Sequence, residues 1–215
     1  MKTQIILLIA TVIFVSSCGN PHCERGEGRT VSETYTLGEF NGIDISSWGE
    51  VEIIKSNEHK LEIHAQANVI DRFRVNVRNE TLYIGADCFN ARSKPKLYIY
   101  CKSFNDLRLS GAGKIESSSE FIFDNLNIEM SGAGDIGLRG EAEQLSIRVS
   151  GSGDVNLMGL QTKNADIRIS GKSDCSVFVV DHLQVKISGV GKVYYKGNPE
   201  IDQEISGVGK VISKN

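Results

Sequence analysis

The chain has 215 residues, hydrophobic residues at 40% of its positions and a formal net charge of −3. This length is enough for one domain with a continuous core, even after an N-terminal targeting segment is removed. The slightly acidic balance argues against a nucleic-acid partner, which would require a basic stripe.

Residues 1–17 are predicted to be a secretion signal. Lys2 supplies a positive start, and Ile5 to Val15 is apolar apart from Thr11. This apolar run is too short to span a bilayer, which takes about 20 residues. Small residues stand directly before Cys18, as in the lipobox where bacterial lipoproteins are cleaved and lipidated, so we expect Cys18 to carry lipid. An ordinary signal peptide beside an incidental cysteine is the alternative.

Residues 18–30 are predicted to be a flexible tether, because GNPHCERGEGRT contains no large apolar side chain. Residues 31–215 are expected to form the folded domain. The lipid would anchor that domain to the membrane of the cell envelope. We expect the outer membrane, with the periplasmic or surface face left open.

Residues 31–104 contain alternating apolar and polar runs that predict strands without a fixed repeat. Short polar links at 56–59 and 78–80 favour β-hairpins between neighbouring strands. No stretch shows a helical period. We expect this part to begin or cap the regular array that follows it.

One phrase, serine, glycine, any residue, glycine, recurs through the rest of the chain. From Ser110 its serines advance by 21, 19, 20, 18 and 18 residues, and a fixed period of this size indicates a repeat architecture. Two degenerate copies lie at residues 46–49 and 170–173. The complete copies contain Ser110, Gly111 and Gly113; Ser131, Gly132 and Gly134; Ser150, Gly151 and Gly153; Ser188, Gly189 and Gly191; and Ser206, Gly207 and Gly209.

The residues around each serine predict a strand on both sides of the turn. The positions one and three before the serine are apolar with a single exception, and the position between them is always charged. This alternation with period 2 is typical of a strand with one solvated face. The glycines are expected to supply the positive φ that a tight turn needs.

A stack of such strand–turn–strand units predicts an all-β fold: a single-stranded, right-handed parallel β-helix. Its two sheets would be joined by the Ser-Gly-x-Gly turns, with regular repeats over residues 105–215. A meander of antiparallel hairpins is the alternative, and it is disfavoured because successive copies of one position would not stack. The last rung would leave strand edges that Lys210, Lys214 or a second subunit must protect.

Three features of the sequence carry a family resemblance. They are FNGIDISSWGEVEI at 40–53, the Ser-Gly-Ala-Gly and Ser-Gly-Val-Gly turns, and ISGVGKVYYKGNPEIDQEISGVGKVI at 187–212. They resemble the bacterial family named putative auto-transporter adhesin, head GIN domain, over 36–212. The resemblance implies a β-superhelix of pectin-lyase-like appearance. It also implies a role in adhesion at the cell envelope.

The fourth residue after each serine forms a charged row: Glu50, Lys114, Asp135, Asp154, Asp174, Lys192 and Lys210. In a solenoid with rungs about 4.8 Å apart, Asp135, Asp154 and Asp174 would stack. Each neighbouring pair would cost about 1 kcal/mol even in water. A calcium ion could relieve that repulsion. The preferred interpretation is a solvated row whose ends pair with Lys114 and Lys192, with no metal and no cofactor.

Other candidate motifs do not indicate catalysis. Gly132, Gly134 and Gly137 satisfy a dinucleotide fingerprint formally, but a strand pattern follows them where that motif needs a helix. The four histidines, His22, His59, His64 and His182, have no metal-ligand spacing. Arg148 and Arg168 with the aspartates are the only candidates for a pectinase-like cleft, and charge at every rung is better explained by solubility.

After Cys18 the chain contains Cys23, Cys88, Cys101 and Cys175. An even number in an exported chain permits disulfides. Cys175 falls on an apolar position of its rung, where a buried thiol is expected. The only pairing considered is Cys88 with Cys101, because both flank one loop.

The sequence therefore predicts a non-enzymatic cell-envelope lipoprotein, an adhesin or interaction module with a rigid solenoid surface. The alternative is a polysaccharide-binding or polysaccharide-cleaving β-helix protein. The expected partners are the membrane, through the N-terminal lipid, and a protein or glycan ligand. Self-association is also compatible with the pattern.

Overall fold

The structure is a computed structural model that describes residues 23–215. The predicted signal, Cys18 and His22 lie outside the described residues. Strands account for 73% of the described residues, which contain almost no helix and form a β-solenoid of about five turns. The predicted all-β solenoid, with hairpins in its N-terminal part, is confirmed.

The regular part of the solenoid contains four long strands, each of which runs through most of one rung. Their inter-rung pairing shifts register inside the strand, for instance between Glu116 and Glu120, which marks a corner. Hydrogen bonds continue around the corners, so the strands of the solenoid belong to one sheet of 15 strands. The strands of this part are β10 (Asp106–Leu109), β11 (Ala112–Met130), β12 (Ala133–Val149), β13 (Ser152–Ile169), β14 (Lys172–Ile187), β15 (Val190–Lys196), β16 (Glu200–Ile205) and β17 (Val208–Ser213).

The strands of successive rungs pair in parallel. Positions that are equivalent in the alignment on the serines are also paired in the sheet. The apolar residue before each serine pairs with its equivalent on the next rung. The resulting column of residues runs Ile45, Leu109, Met130, Val149, Ile169, Ile187, Ile205. All but the last are at most 2% exposed. The antiparallel meander is therefore wrong for this part of the chain.

The N-terminal half supplies the first rung and a cap beneath it. The first rung is β3 (Gly42–Ile45), the degenerate turn at 46–49 and β4 (Trp48–Lys55); β7 (Thr81–Ala86) pairs with β3, and β9 (Lys96–Cys101) pairs with β4. The strands are β1 (Glu24–Arg25), β2 (Thr30–Thr36), β3 (Gly42–Ile45), β4 (Trp48–Lys55), β5 (Lys60–Gln66), β6 (Phe73–Arg78), β7 (Thr81–Ala86), β8 (Phe89–Asn90) and β9 (Lys96–Cys101), with a 3-10 turn at Ile70–Arg72.

One of the two predicted hairpins forms. β6 and β7 pair antiparallel around Asn79 and Glu80, which have φ of 48° and 56°. The link at 56–59 does not close a hairpin, because β9 lies between β4 and β5, parallel to one and antiparallel to the other. This insertion buries Leu97 and Ile99 almost completely.

The described part of the predicted tether, residues 23–30, is held to the domain. β1 pairs in parallel with β8, and the Gly26 N–H donates to the carbonyl of Asn90 at 2.9 Å. Cys23 forms a disulfide with Cys88, with their Cα atoms 4.8 Å apart. The flexible tether is therefore wrong for these residues, since pairing and a covalent link replace the core contacts that their polar composition cannot make.

The two ends of the turn stack differ. At the start, Trp48 packs on Phe89 with ring centroids 5.4 Å apart, and the Glu50 N–H donates to the Pro95 carbonyl at 2.9 Å. The 87–95 loop thus covers the first turn. At the other end, no strand among residues 23–215 pairs with the outer edges of β16 and β17.

Candidate interaction surface

The Ser-Gly-x-Gly turns stack along one edge of the solenoid, and their backbone groups bond between rungs. The N–H groups of Ser131 and Gly132 both donate to the Leu109 carbonyl, at 3.0 and 3.1 Å, and that of Ala133 donates to Gly111 at 3.0 Å. The same three bonds recur at each later turn. The turn edge is therefore a continuous hydrogen-bonded ridge with its polar backbone groups paired.

The glycines are required mainly by contact between rungs. A Cβ on the first glycine of each phrase would lie 1.8 to 2.1 Å from a carbonyl oxygen of the preceding rung. None of these first glycines has positive φ. The expected positive φ is found at the last glycine of some copies, with φ of +146° at Gly49, +153° at Gly113 and +131° at Gly153. Crowding between rungs, more than turn geometry, selects the first glycine.

The degenerate copy at 170–173 lacks the glycine requirement at one of its two glycine positions and keeps it at the other. Ser173 replaces the last glycine, has no positive φ and is 3% exposed. Gly171 is as constrained as its equivalents, because its Cβ would lie 2.0 Å from the Gly151 carbonyl oxygen. The last position of this copy therefore accepts a side chain, whereas its first position still requires glycine.

Asp135, Asp154 and Asp174 stack as predicted, and backbone N–H groups bond their carboxylates. One oxygen of each accepts from the N–H of the next row member, at 3.1, 3.3 and 2.8 Å in chain order. The last of these donors is the Lys192 backbone, not its ammonium group. Lys114 binds Glu116 at 2.7 Å, a hydrogen bond that raises the pKa of Lys114. The predicted end pairing with the two lysines is therefore wrong.

The aspartate row does not assemble a metal site. Within residues 23–215, no group of three or more acidic, histidine or cysteine side chains is placed to hold a metal ion. Asp135 and Asp154 instead line a groove of about 890 Å³ on the strands that follow the turns, which we call the post-turn groove. Its charged lining includes Glu50, Glu52, Lys114, Asp135, Arg139 and Asp154.

A second groove of about 580 Å³ lies on the strands that precede the turns, and we call it the pre-turn groove. The charged residues two before the serine line it in every copy but the last, together with the turn serines from Ser110 to Ser188. Arg148 and Arg168 belong to this groove, whereas Asp135 and Asp154 line the post-turn groove. The predicted pectinase-like candidates are thus placed in different grooves.

The remaining candidate residues are dispersed. Gly132 to Gly137 form a turn and the start of strand β12, with no helix to receive a pyrophosphate. His59 packs edge-on against Phe40, His64 against Tyr98, and His182 lies 3.5 Å from Asp202. No helix within the described residues is both long enough and apolar enough to cross a membrane.

The predicted pairing of Cys88 with Cys101 is wrong. Cys101 ends β9 inside the core, where burial raises the pKa of its thiol to about 12. Cys175 is also a buried free thiol, as predicted, and its pKa is likewise raised to about 12, by burial and then by Asp154 and Asp174. The partner of Cys88 is Cys23, which lies in the segment predicted to be a tether because of its polar composition.

Comparisons with known proteins agree with this architecture. The family model described as putative auto-transporter adhesin, head GIN domain, matches residues 39–199. A crystal structure of a putative adhesin from Bacteroides fragilis NCTC 9343 is 23% identical with a TM-score of 0.74, covering 88% of this chain and 99% of that one.

Two further solved structures have the same fold at lower similarity. A putative adhesin from Parabacteroides merdae ATCC 43184 is 19% identical, with a TM-score of 0.59 and coverage of 89% and 98%. A protein described as a putative lipid binding protein from Parabacteroides distasonis ATCC 8503 is 20% identical, with a TM-score of 0.57 and coverage of 89% and 99%. No curated protein matches the chain. At these identities the likeness shows the fold alone.

Proposed function

Since the chain belongs to the family named putative auto-transporter adhesin, head GIN domain, we propose that it is a lipid-anchored, non-enzymatic interaction module of the bacterial cell envelope. The observation that supports this most directly is the continuous, hydrogen-bonded solenoid with its two charged, open grooves. Such a surface is rigid along its length and available for contact.

The N-terminal disulfide supports an anchored orientation. Cys18 precedes Cys23 by five residues, and an extended chain advances at most about 3.6 Å per residue. A lipid on Cys18 would therefore lie within about 18 Å of the disulfide at the capped end. In this arrangement the membrane holds the capped end, and the later rungs extend away from it.

A non-enzymatic role is favoured by what the acidic row does. Its carboxylates accept hydrogen bonds from backbone N–H groups of the next rung. Their arrangement therefore contributes to the pairing between rungs. The alternative of a polysaccharide-binding or polysaccharide-cleaving protein draws on the two grooves. Binding requires only the grooves, whereas cleavage would also require an acid and a base positioned together.

The anchor is tested with the intact chain and a Cys18→Ala variant. We expect the unaltered protein to incorporate labelled palmitate and to fractionate with membranes, and the variant to be soluble in the periplasm. Equal solubility of both proteins would overturn the lipid anchor.

The interaction role has separate tests. Protease treatment of intact cells should digest an adhesin that faces outward, whereas complete protection would rule out adhesion to a host. Incubation with a panel of polysaccharides should release no product, and reproducible cleavage would overturn the non-enzymatic proposal.

A further inference from the structure

We propose that the pre-turn groove binds a linear anionic polysaccharide through a row of three cations, Arg148, Arg168 and Lys186, which we call the basic row. This inference rests on the proposed role as an interaction module, and it adds the class of ligand and the site.

The charges of the basic row repeat on three consecutive rungs. Arg148 pairs in register with Arg168, and Arg168 with Lys186, so neighbouring members are separated by one rung, about 4.8 Å. Like charges directly opposite each other destabilise a sheet. A chain with a net charge of −3 has thus placed three cations where they repel one another, and an anionic ligand would remove that repulsion.

The carboxylates of the chain neutralise this row only in part. Arg168 is paired with Asp166 at 2.8 Å and Lys186 with Glu204 at 2.8 Å. Arg148 donates only to the Ser146 hydroxyl, at 3.2 Å, and among residues 23–215 no carboxylate lies within 4.0 Å of its guanidinium. Glu129, the neighbour of Arg148 on the preceding rung, is taken by Arg108 at 3.2 Å. Arg148 is the cation most available to a ligand.

Serine hydroxyls border the basic row. The serines of the turns line the same groove, among them Ser131, Ser150 and Ser188, and all three are exposed. Each hydroxyl can donate one hydrogen bond and accept two. The volume of about 580 Å³ lies in the range of ligand sites. The groove therefore offers cations for carboxylate or sulfate groups and hydroxyls for sugar hydroxyls, repeating along one axis.

The rung spacing disfavours an extended peptide as the ligand, and the composition of the groove disfavours a single-stranded nucleic acid. An extended peptide presents side chains on one face about every 6.7 Å, which does not match a one-rung repeat. Single-stranded nucleic acid is held by aromatic side chains that stack on its bases, and no aromatic residue lines this groove. The same lack of aromatics disfavours stacking on a neutral sugar, which leaves charge as the basis of recognition.

The test uses the Cys18→Ala chain, which carries no lipid, with affinity measured by calorimetry. Heparin and polygalacturonate provide sulfated and carboxylated chains, dextran a neutral one, and oligothymidylate a nucleic acid. We expect binding to at least one anionic polysaccharide, no binding to dextran, and affinity that falls as salt is raised. Arg148→Ala should weaken binding by about tenfold, and Arg148→Glu by more.

Arg139→Ala is the matched control, because it removes the same charge from an exposed arginine that lines the other groove. It should leave the affinity unchanged, and all variants should melt like the parent since both arginines are exposed. An equal loss in Arg139→Ala, tighter binding of oligothymidylate, or no binding to either anionic chain would overturn the proposal. The anchoring and cell-protease experiments do not depend on this result, so the two proposals can fail separately.

Discussion

At the scale of single residues, the first glycine of each turn is fixed by the rung beneath it. At Gly151 a Cβ would lie 1.9 Å from the Gly132 carbonyl oxygen, and at Gly189 it would lie 2.1 Å from that of Gly171. Both neighbours are backbone atoms held in the inter-rung bonds, so neither can move as a side chain would. A substitution here must separate two rungs locally.

We predict that Gly151→Ala and Gly189→Ala destabilise the protein by roughly 1 to 3 kcal/mol, the usual cost of overpacking. Gly153→Ala should be at least as costly, because its φ of +131° adds backbone strain of about 1 to 3 kcal/mol. Thermal or denaturant unfolding of each variant measures these losses.

Gly137→Ala is the control for the turn glycines. A Cβ there would meet nothing closer than the Asn156 carbonyl oxygen, at 3.7 Å, so the change should be close to neutral. Gly171→Ala, in the degenerate copy, should be as damaging as Gly151→Ala. Similar losses at Gly137 and Gly151 would contradict the steric explanation.

The two buried thiols make the stability of the fold sensitive to alkaline pH. Burial raises the pKa of Cys101 and Cys175 from 9.0 to about 12. As pH rises through that window, only the unfolded chain releases these protons, so stability is complete below about pH 9 and declines toward pH 12. Burial and hydrogen bonding to Glu33 raise the pKa of Tyr35 to about 12 as well, in the same direction.

Cys175→Val separates this contribution from others. Its register partners on the adjacent rungs are Val155 and Val193, so the position accepts the side chain. We expect a shallower loss of unfolding free energy between pH 9 and pH 12 than in the unaltered protein, measured by denaturant titration at several pH values. An unchanged slope would mean that the thiol is not the titrating group.

At the scale of strands and turns, local patterns predicted the rungs well. Alternation around each serine gave the buried column from Ile45 to Ile187 and the parallel register of the aspartates. These features depend on nearest neighbours in a repeat, which a periodic sequence encodes directly. The inserted strand β9 and the disulfide of Cys23 depend on contacts between segments far apart in the chain, and no local pattern specifies such partners.

The candidate surface was only partly predictable for the same reason. The sequence identified the aspartate row, but the carboxylate orientation follows from where the next backbone N–H lies. The sequence pattern explained Arg148 and Arg168 by solubility and did not indicate that they lie on the opposite side of the turns from the aspartates. Only the fold shows that the two rows line different grooves.

The aspartate row should respond differently to loss of charge and loss of its acceptor. Asp154→Asn retains an oxygen for the Asp174 N–H and removes repulsion of about 1 kcal/mol per neighbouring pair. We expect it to match or exceed the melting temperature of the unaltered protein at low salt. Asp154→Ala should lower stability by about 1 kcal/mol, because the acceptor is lost.

Calcium provides the control for this row. Adding millimolar calcium should leave the melting temperature of the unaltered protein unchanged. A calcium-dependent rise that disappears in Asp154→Asn would show that the aspartates bind a cation after all.

The N-terminal disulfide should stabilise the capped end. It joins residues 65 positions apart, and closing a loop of this length in the unfolded chain is worth about 4 kcal/mol on the chain-entropy estimate. Reduction should therefore lower the midpoint of denaturant unfolding. A Cys23→Ser/Cys88→Ser variant should start from the lower value and show no further response to reductant, and a response in that variant would implicate another cysteine.

For the whole molecule, the cap and the disulfide make the solenoid asymmetric. The first rung has β7 and β9 beneath it, whereas β16 and β17 have a partner on one side only within the described chain. Val208 is 72% exposed and Ile205 is 38% exposed, so this rung buries less apolar surface than those before it. The Asn215 side chain makes two hydrogen bonds of 2.8 Å to the backbone of Gly197: its Oδ1 accepts from the Gly197 N–H, and its Nδ2 donates to the Gly197 carbonyl.

In a linear array each rung is stabilised only by its neighbours, so opening should begin at the less supported end. We predict that amide hydrogen exchange is fastest in β17 and β16, slower in β15 and slowest in β11 to β13, with the capped β3 and β4 also protected. Asn215→Ala should speed exchange in β17 and β15 without affecting β11, because it removes a contact confined to the last rung. Equal protection from β11 to β17 would contradict stepwise fraying and show that the solenoid opens as one cooperative unit.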